Sequence, residues 1–188
     1  MGDRADTSIM IVGAVPSAAA CEALAAAAAS ENAKAGWEEG VFEDAGEVLC
    51  LLQETIQEGR PLWLFGSDKL GATMDDVEDA CRTHGMAFEV HGERGPSWDS
   101  FVKRWMPGWE EPHITYGDAD PAIGAQEVKA FLERGAEGVA ELAGLADRRL
   151  GVGFPDKVTA TPELGDELER LIQLAYGEIE PVSAIPSP

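Results

Sequence analysis

The stretch Arg60–Glu93, RPLWLFGSDKLGATMDDVEDACRTHGMAFEVHGE, decides the fold. Leu62 to Phe65 (LWLF) is continuously apolar, as an interior strand is when both its faces are covered. Gly66-Ser67-Asp68 breaks the run and predicts a turn reaching to Gly71. Thr73 is placed to cap a helix, and Asp75 and Asp76 fall in its first turn, where the helix dipole favours anions. Met74, Val77 and Cys81 form an inward stripe, which leaves Asp75, Asp76, Glu78 and Asp79 on the outward face. Gly85 ends the helix and Met86 to Val90 is the next strand. A strand–helix–strand unit of this length predicts a right-handed parallel crossover.

Outward from this unit the chain alternates in the same way. Ser8 to Val15 is a short β-rich run. Ser17 then caps a helix so rich in alanine that a neighbour can approach it closely, and Gly36 stops that helix. Trp37 to Phe42 reads as a second, edge-type strand. Ala45 to Glu58 is helical, with Val48, Leu49, Leu52 and Ile56 on one face and Gly59 at its end. Gly92 to Gly108 reads as a long loop containing Trp98 and Trp105, with Phe101, Val102 and Trp105 in one helical turn. Pro112 to Tyr116 is a short strand and Gly117 to Pro121 a turn. Helices follow over Gln126 to Arg134 and Gly138 to Arg149. Thr161-Pro162-Glu163 opens a third, running to Tyr176. The expected architecture is therefore α/β: a small mixed sheet of four to five short strands flanked by helices over residues 8–116. A helical C-terminal segment over 117–177 packs on it, and 178–188 is a loose tail.

Composition narrows the function classes. The chain has 188 residues, 45% of them hydrophobic, enough for a proper core. Fourteen Lys+Arg stand against thirty-five Asp+Glu, a net charge of −21. Such a surface repels nucleic acid and anionic membranes and attracts basic proteins or divalent cations. Salt adaptation and plain solubility account for the same charge. The three cysteines, Cys21, Cys50 and Cys81, are an odd number inside helical patterns. They read as buried thiols in a reducing cytoplasm rather than a disulfide framework. No secretory leader and no run long enough to span a membrane is legible.

Candidate chemistry is sparse. Cys81 and His84 are near each other, but the surrounding acids oppose the lowered thiol pKa that catalysis needs. Asp118-Ala-Asp120 begins like a calcium loop, which next requires an oxygen ligand at Ala122, glycine at Ile123 and glutamate at Lys129; all three fail. The Gly66–Gly71 turn precedes a helix N-terminus, where phosphates bind, yet Asp68, Asp75 and Asp76 oppose an anion there. Acidic pairs such as Glu38/Glu39, Glu43/Asp44 and Glu110/Glu111 point to opposite faces if extended. No cofactor and no metal site follows from these residues. Trp98, Trp105 and Trp109 are a better lead, because indoles are enriched in the cores of interfaces. Sealing the core under a loop is their plainer role.

The helix Asp75–Gly85 (DDVEDACRTHG) is similar to the pattern E-x-L-E-x-x-C-x-x-H/N-G, with Asp75 where the pattern has Glu and Val77 where it has Leu. Phe88 to His91, Met106-Pro107-Gly108, the Gly117–Pro121 turn and the Gln126–Arg134 helix follow it. Together these resemble an uncharacterised family of small acidic proteins of bacterial phages and plasmids, over about Val48 to Gly135. The resemblance implies a mobile-element protein that meets host defence, and transfers no catalytic residue. The expected function is a non-enzymatic, cytoplasmic module binding a basic protein partner through Asp75, Asp76, Glu78, Asp79, Trp98, Trp105 and Trp109. Its carboxylates would imitate a nucleic-acid backbone, as in anti-CRISPR and anti-restriction inhibitors. The alternative is a nucleotide or small-molecule binder using the Gly66–Gly71 turn.

Overall fold

A computed structural model describes residues 4–117 and 125–177. Its elements are β1 (Arg4–Ala14), α1 (Ala18–Ser30), α2 (Ala45–Glu58), β2 (Leu62–Leu70), α3 (Asp75–His84) and β3 (Ala87–Gly92). The chain continues with β4 (Phe101–Trp105), β5 (His113–Tyr116), α4 (Ala125–Leu132), α5 (Gly135–Leu150), β6 (Val158–Thr159) and α6 (Pro162–Ala175). The fold is mixed α/β, an open sheet in the order β2-β1-β3-β4-β5 with β6 added parallel to the end of β1.

All neighbours along the main path are antiparallel. Because β2 and β3 are both antiparallel to β1, they run parallel to each other. The β2–α3–β3 unit is thus a crossover between parallel strands, but β1 lies between them and pairs with both. The expected parallel relation of the two strands is present, with the long β1 laddered to both.

Directly opposed residues share a face of an antiparallel sheet. Ile9 opposes Leu64 and Val90, and Ile11 opposes Leu62 and Phe88, so these six define one apolar face. All six are buried. Helices α1, α2 and α3 cover that side, with α1 touching both others and α6 touching α1 and α2. Helix α1 can be central because Ala20, Ala25 and Ala28 are buried beside Cys21 and Leu24. With methyl groups at the contact, three helices crowd around it. Leu164 and Leu168 of α6 join the same core, so the C-terminal helix completes the helical layer.

Several boundaries follow local rules. Ser17 Oγ accepts from Ala20 N at 3.3 Å at the start of α1, and Thr161 Oγ1 accepts from Leu164 N at 3.3 Å ahead of α6. Gly59 and Gly85 end α2 and α3 in the left-handed conformation.

Four expectations are corrected. Trp37–Phe42 is not a strand; Lys34 alone bridges to Val41 and to Phe65. The Gly66–Gly71 turn is strand: β2 runs on to Leu70, and one extra residue opposite Ala5 to Thr7 forms a bulge with Asp68 at φ 55°. The helical turn at Phe101–Trp105 is β4, fully paired with β3 and β5. Between α5 and α6, where no strand was expected, Gly13 N donates to Lys157 O at 2.8 Å and Val15 N to Thr159 O at 2.9 Å, which places β6. The Asp118–Asp120 motif and the 178–188 tail lie outside the described residues.

Candidate functional site

The α3 carboxylates do not form one face. Asp75, Asp76 and Asp79 are exposed, but Glu78 is buried at 6% exposure. Its Oε2 lies 2.5 Å from Lys103 Nζ on β4, and both side chains are nearly sealed, at 8% and 12%. Lys103 opposes Val90 in the β3–β4 ladder, so it stands on the helix-covered face and meets α3 there. Burial raises the Glu78 carboxyl above its ordinary value, against the pull of the Lys103 ammonium. Its Oε1 is buried with no partner among the described residues.

The N-terminus of α3 is also not a free anion seat. Thr73 donates to Leu70 O and caps nothing; Met74 holds the N-cap position. Glu31, at the end of α1, provides the cap, its Oε1 accepting from Asp76 N at 2.7 Å. The other oxygen pairs with Lys69 Nζ at 3.1 Å. A carboxylate of the chain thus occupies the place where a phosphate would sit, and Lys69 is engaged with it. At Gly66 a Cβ would fall 2.7 Å from the Lys69 side chain and 3.2 Å from Thr7, so this glycine serves strand packing. Both the first turn of α3 and Lys69 are thus already engaged by Glu31. Glu31→Ala is expected to cost about 1–2 kcal/mol in urea denaturation, because it removes both the cap and the carboxylate that pairs with Lys69.

The tryptophans divide between the two ends of α3. Trp105 is buried at 7%, stacks on Phe88 at 6.0 Å and donates through Nε1 to Trp109 O at 3.0 Å. Arg82 reaches Glu111 at 3.6 Å beside it. Trp105 is therefore core, and Trp109 packs against that core half-buried. Trp98 stands at the other end, its Nε1 donating to Glu93 O at 3.0 Å. It lines a cleft of about 300 Å3 with Phe101, Lys103, Ile114, Tyr116 and the Gly71–Thr73 loop. Of the residues expected to act together, Trp105 and Trp109 are joined directly, while Lys103 pairs with Glu78 and lines the same cleft as Trp98.

Two features were not legible in the chain. The first is a groove of about 530 Å3 lined by Glu39, Glu43, Glu47 and Glu54, with Leu51 and Tyr176 among its apolar residues. Its acids come from α2 and the loop before it, and Tyr176 from the end of α6. Asp44 caps α2 by accepting from Glu47 N at 3.2 Å, and Glu47 Oε2 accepts from Glu43 N at 2.8 Å. That reciprocal capping fixes the loop against the helix. Cys50, expected to be buried, is half-exposed here, its Sγ 3.9 Å from Tyr176 Oη. Cys21 and Cys81 are buried thiols; burial pushes Cys21 up to about 11 and Cys81 still higher.

The second is a network on the opposite face of the sheet. Glu89, buried at 9%, accepts from Arg104 Nε and lies 2.5 Å from His91 Nε2. Burial alone would raise the Glu89 carboxyl, but the His91 hydrogen bond and the Arg104 charge outweigh it and hold it below its usual value. Arg104 also donates to Arg149 O at 2.7 Å, fastening the end of α5 to β4. Trp63 lies 5.7 Å from His91 and 6.2 Å from Phe65, which meets Trp37 edge-on at 4.8 Å. Every polar member has a structural partner, so the network reads as a brace.

Among the described residues no group of three or more His, Cys, Asp and Glu is placed to hold a metal ion. No helix among them is long and apolar enough to cross a membrane. Comparison of the chain with known protein families, with curated proteins and with solved structures gives no match.

Proposed function

We propose that this protein is a non-enzymatic binding module for a basic protein partner. The observation that carries the reading is the α2 groove, which four glutamates line together with Leu51 of α2 and Tyr176 just past the end of α6. Glu39, Glu43 and Glu54 are exposed, and Tyr176 is 50% exposed. A basic amphipathic segment matches such a surface, with apolar side chains against Leu51 and Tyr176 and Lys or Arg heads toward the glutamates. Charge of this kind sets approach rate and register more than final affinity. Imitation of a nucleic-acid backbone, and an origin on a phage or plasmid, remain proposals of the sequence. Asp75, Asp76 and Asp79 support the mimicry by their exposure; Glu78 does not take part.

A labelled Lys/Arg-rich peptide with apolar residues at i, i+3, i+4 and i+7, titrated by fluorescence anisotropy, tests the reading. Binding is expected to weaken by about tenfold or more between low salt and 0.5 M salt. The triple substitution Glu39→Gln/Glu43→Gln/Glu54→Gln should weaken it similarly, whereas Asp75→Asn/Asp76→Asn/Asp79→Asn should do so only if the helix face is also used. Equal binding of an all-polar peptide of the same charge would reduce the groove to nonspecific attraction and sink the proposal.

A further inference from the structure

We infer that the cleft between the Gly71–Thr73 loop and the β4–β5 edge binds a small, neutral aromatic molecule carrying one hydrogen-bond acceptor. This site is separate from the acidic groove and does not depend on it. Its volume of about 300 Å3 lies at the lower end of ligand sites, which suits one ring or two fused rings.

The walls are apolar and left open by the fold. Phe101, Lys103, Ile114 and Tyr116 stand on the helix-covered face of the sheet, as their cross-strand pairing requires. Ile114 is nevertheless 40% exposed and Tyr116 66%. Trp98 closes the cleft from the loop side.

Two of the aromatic walls are preorganised. A Cβ on Gly92 would fall 2.2 Å from the Phe101 ring, and one on Gly95 would fall 2.3 Å from the Trp98 ring. Glycine at both positions lets each ring lie directly on backbone. The Trp98 indole is held further by its bond to Glu93 O at 3.0 Å, and Tyr116 meets Phe101 edge-on at 6.4 Å. Rings already fixed lose little freedom when a ligand stacks on them.

The polar chemistry fixes the ligand's charge. Lys103, the one ionised residue among the described residues lining the cleft, has its charge matched by Glu78 at 2.5 Å. The pair is neutral overall, so an anion finds no spare positive charge. An ammonium carries three donors, and those not directed at Glu78 suit a single acceptor on the ligand.

Three probes separate the possibilities: benzamide, benzoate and cyclohexanecarboxamide, followed by saturation-transfer NMR and thermal shift up to about 10 mM, a range that captures weak fragment binding. Benzamide should bind. Benzoate, with the same ring and a charge, and cyclohexanecarboxamide, with the same amide and no ring, should bind about tenfold more weakly. Ile114→Trp fills the cleft from an exposed edge-strand position and should abolish benzamide binding while the free protein melts as before; Tyr116→Ala should weaken binding and serves if Ile114→Trp fails to fold. No benzamide binding, equal binding of cyclohexanecarboxamide, or binding unchanged in either variant would overturn the inference.

Discussion

Lys103→Met is expected to destabilise the protein by about 3–5 kcal/mol, measured by urea denaturation at neutral pH. Removing one partner of a sealed ion pair leaves the other as an uncompensated buried charge. Glu78 and Lys103 are 8% and 12% exposed, and Glu78 Oε1 already lacks a partner among the described residues, so water gives little relief. The double variant Glu78→Leu/Lys103→Met should recover most of the loss, because an apolar pair of similar volume needs no counter-charge. The pH dependence carries the diagnosis. Burial holds Glu78 above its ordinary value and Lys103 pulls it down, so the substitution raises it further. Folded variant then binds more protons than folded wild type, and the stability gap between them widens with rising pH and narrows as pH falls toward the ordinary glutamate range. A gap below about 1 kcal/mol at neutral pH, within the range of an exposed pair, or a double variant no better than the single, would show that the pair is not sealed.

That same pair explains where the sequence misleads. Helices α2 and α6 were legible because their apolar spacing and caps agree; α1 was legible from its Ser17 cap and its alanines, but it ends at Ser30, short of the expected stop at Gly36. Strand β4 was not: in FVKRW the inward positions are Phe101, Lys103 and Trp105, and a lysine at the centre hides the alternation. Glu78 was assigned to the surface for the matching reason, since three aspartates share its helix and only the tertiary fold brings Lys103 to it. Thr73 looked like a cap because its residue type suits one, but Glu31, 45 positions before Asp76, takes the role. Of the three tryptophans, Trp98 lines the cleft, and Trp105 follows the plainer role of sealing the core. The groove required Tyr176 to meet Cys50 across 126 positions, which no local pattern encodes. The aromatic row on the second face was equally hidden, since it needs the β1–β2 and β1–β3 registers before Trp63 and His91 become neighbours.

Glu89→Gln is the second large loss, expected at about 3 kcal/mol at neutral pH. It leaves Arg104, 19% exposed, without a counter-charge, and buried unpaired charges cost in this range. His91 is 43% exposed and loses less, because solvent takes over its partner's role. The loss also loosens a brace, since the guanidinium that Glu89 orients is the one that grips Arg149 O at 2.7 Å. Proteolysis at the α5 end should therefore accelerate alongside the fall in stability. The sign of the pH effect follows from the lowered carboxyl. Glu89 binds its proton less readily folded than unfolded, so its contribution is present above the ordinary glutamate value and fades as pH drops through the folded one. Glutamine does not titrate, so wild type and Glu89→Gln should converge as the solution is acidified. Glu78 in the wild type is arranged in the opposite sense, gaining a proton more readily in the fold, so the two buried glutamates pull the acid limb of the stability curve in opposite directions. A Glu89→Gln penalty that stayed constant from neutral pH down to about pH 3, below the ordinary glutamate value, would mean that the carboxylate is not held ionised by His91 and Arg104, and that α5 is fastened to the sheet by packing alone.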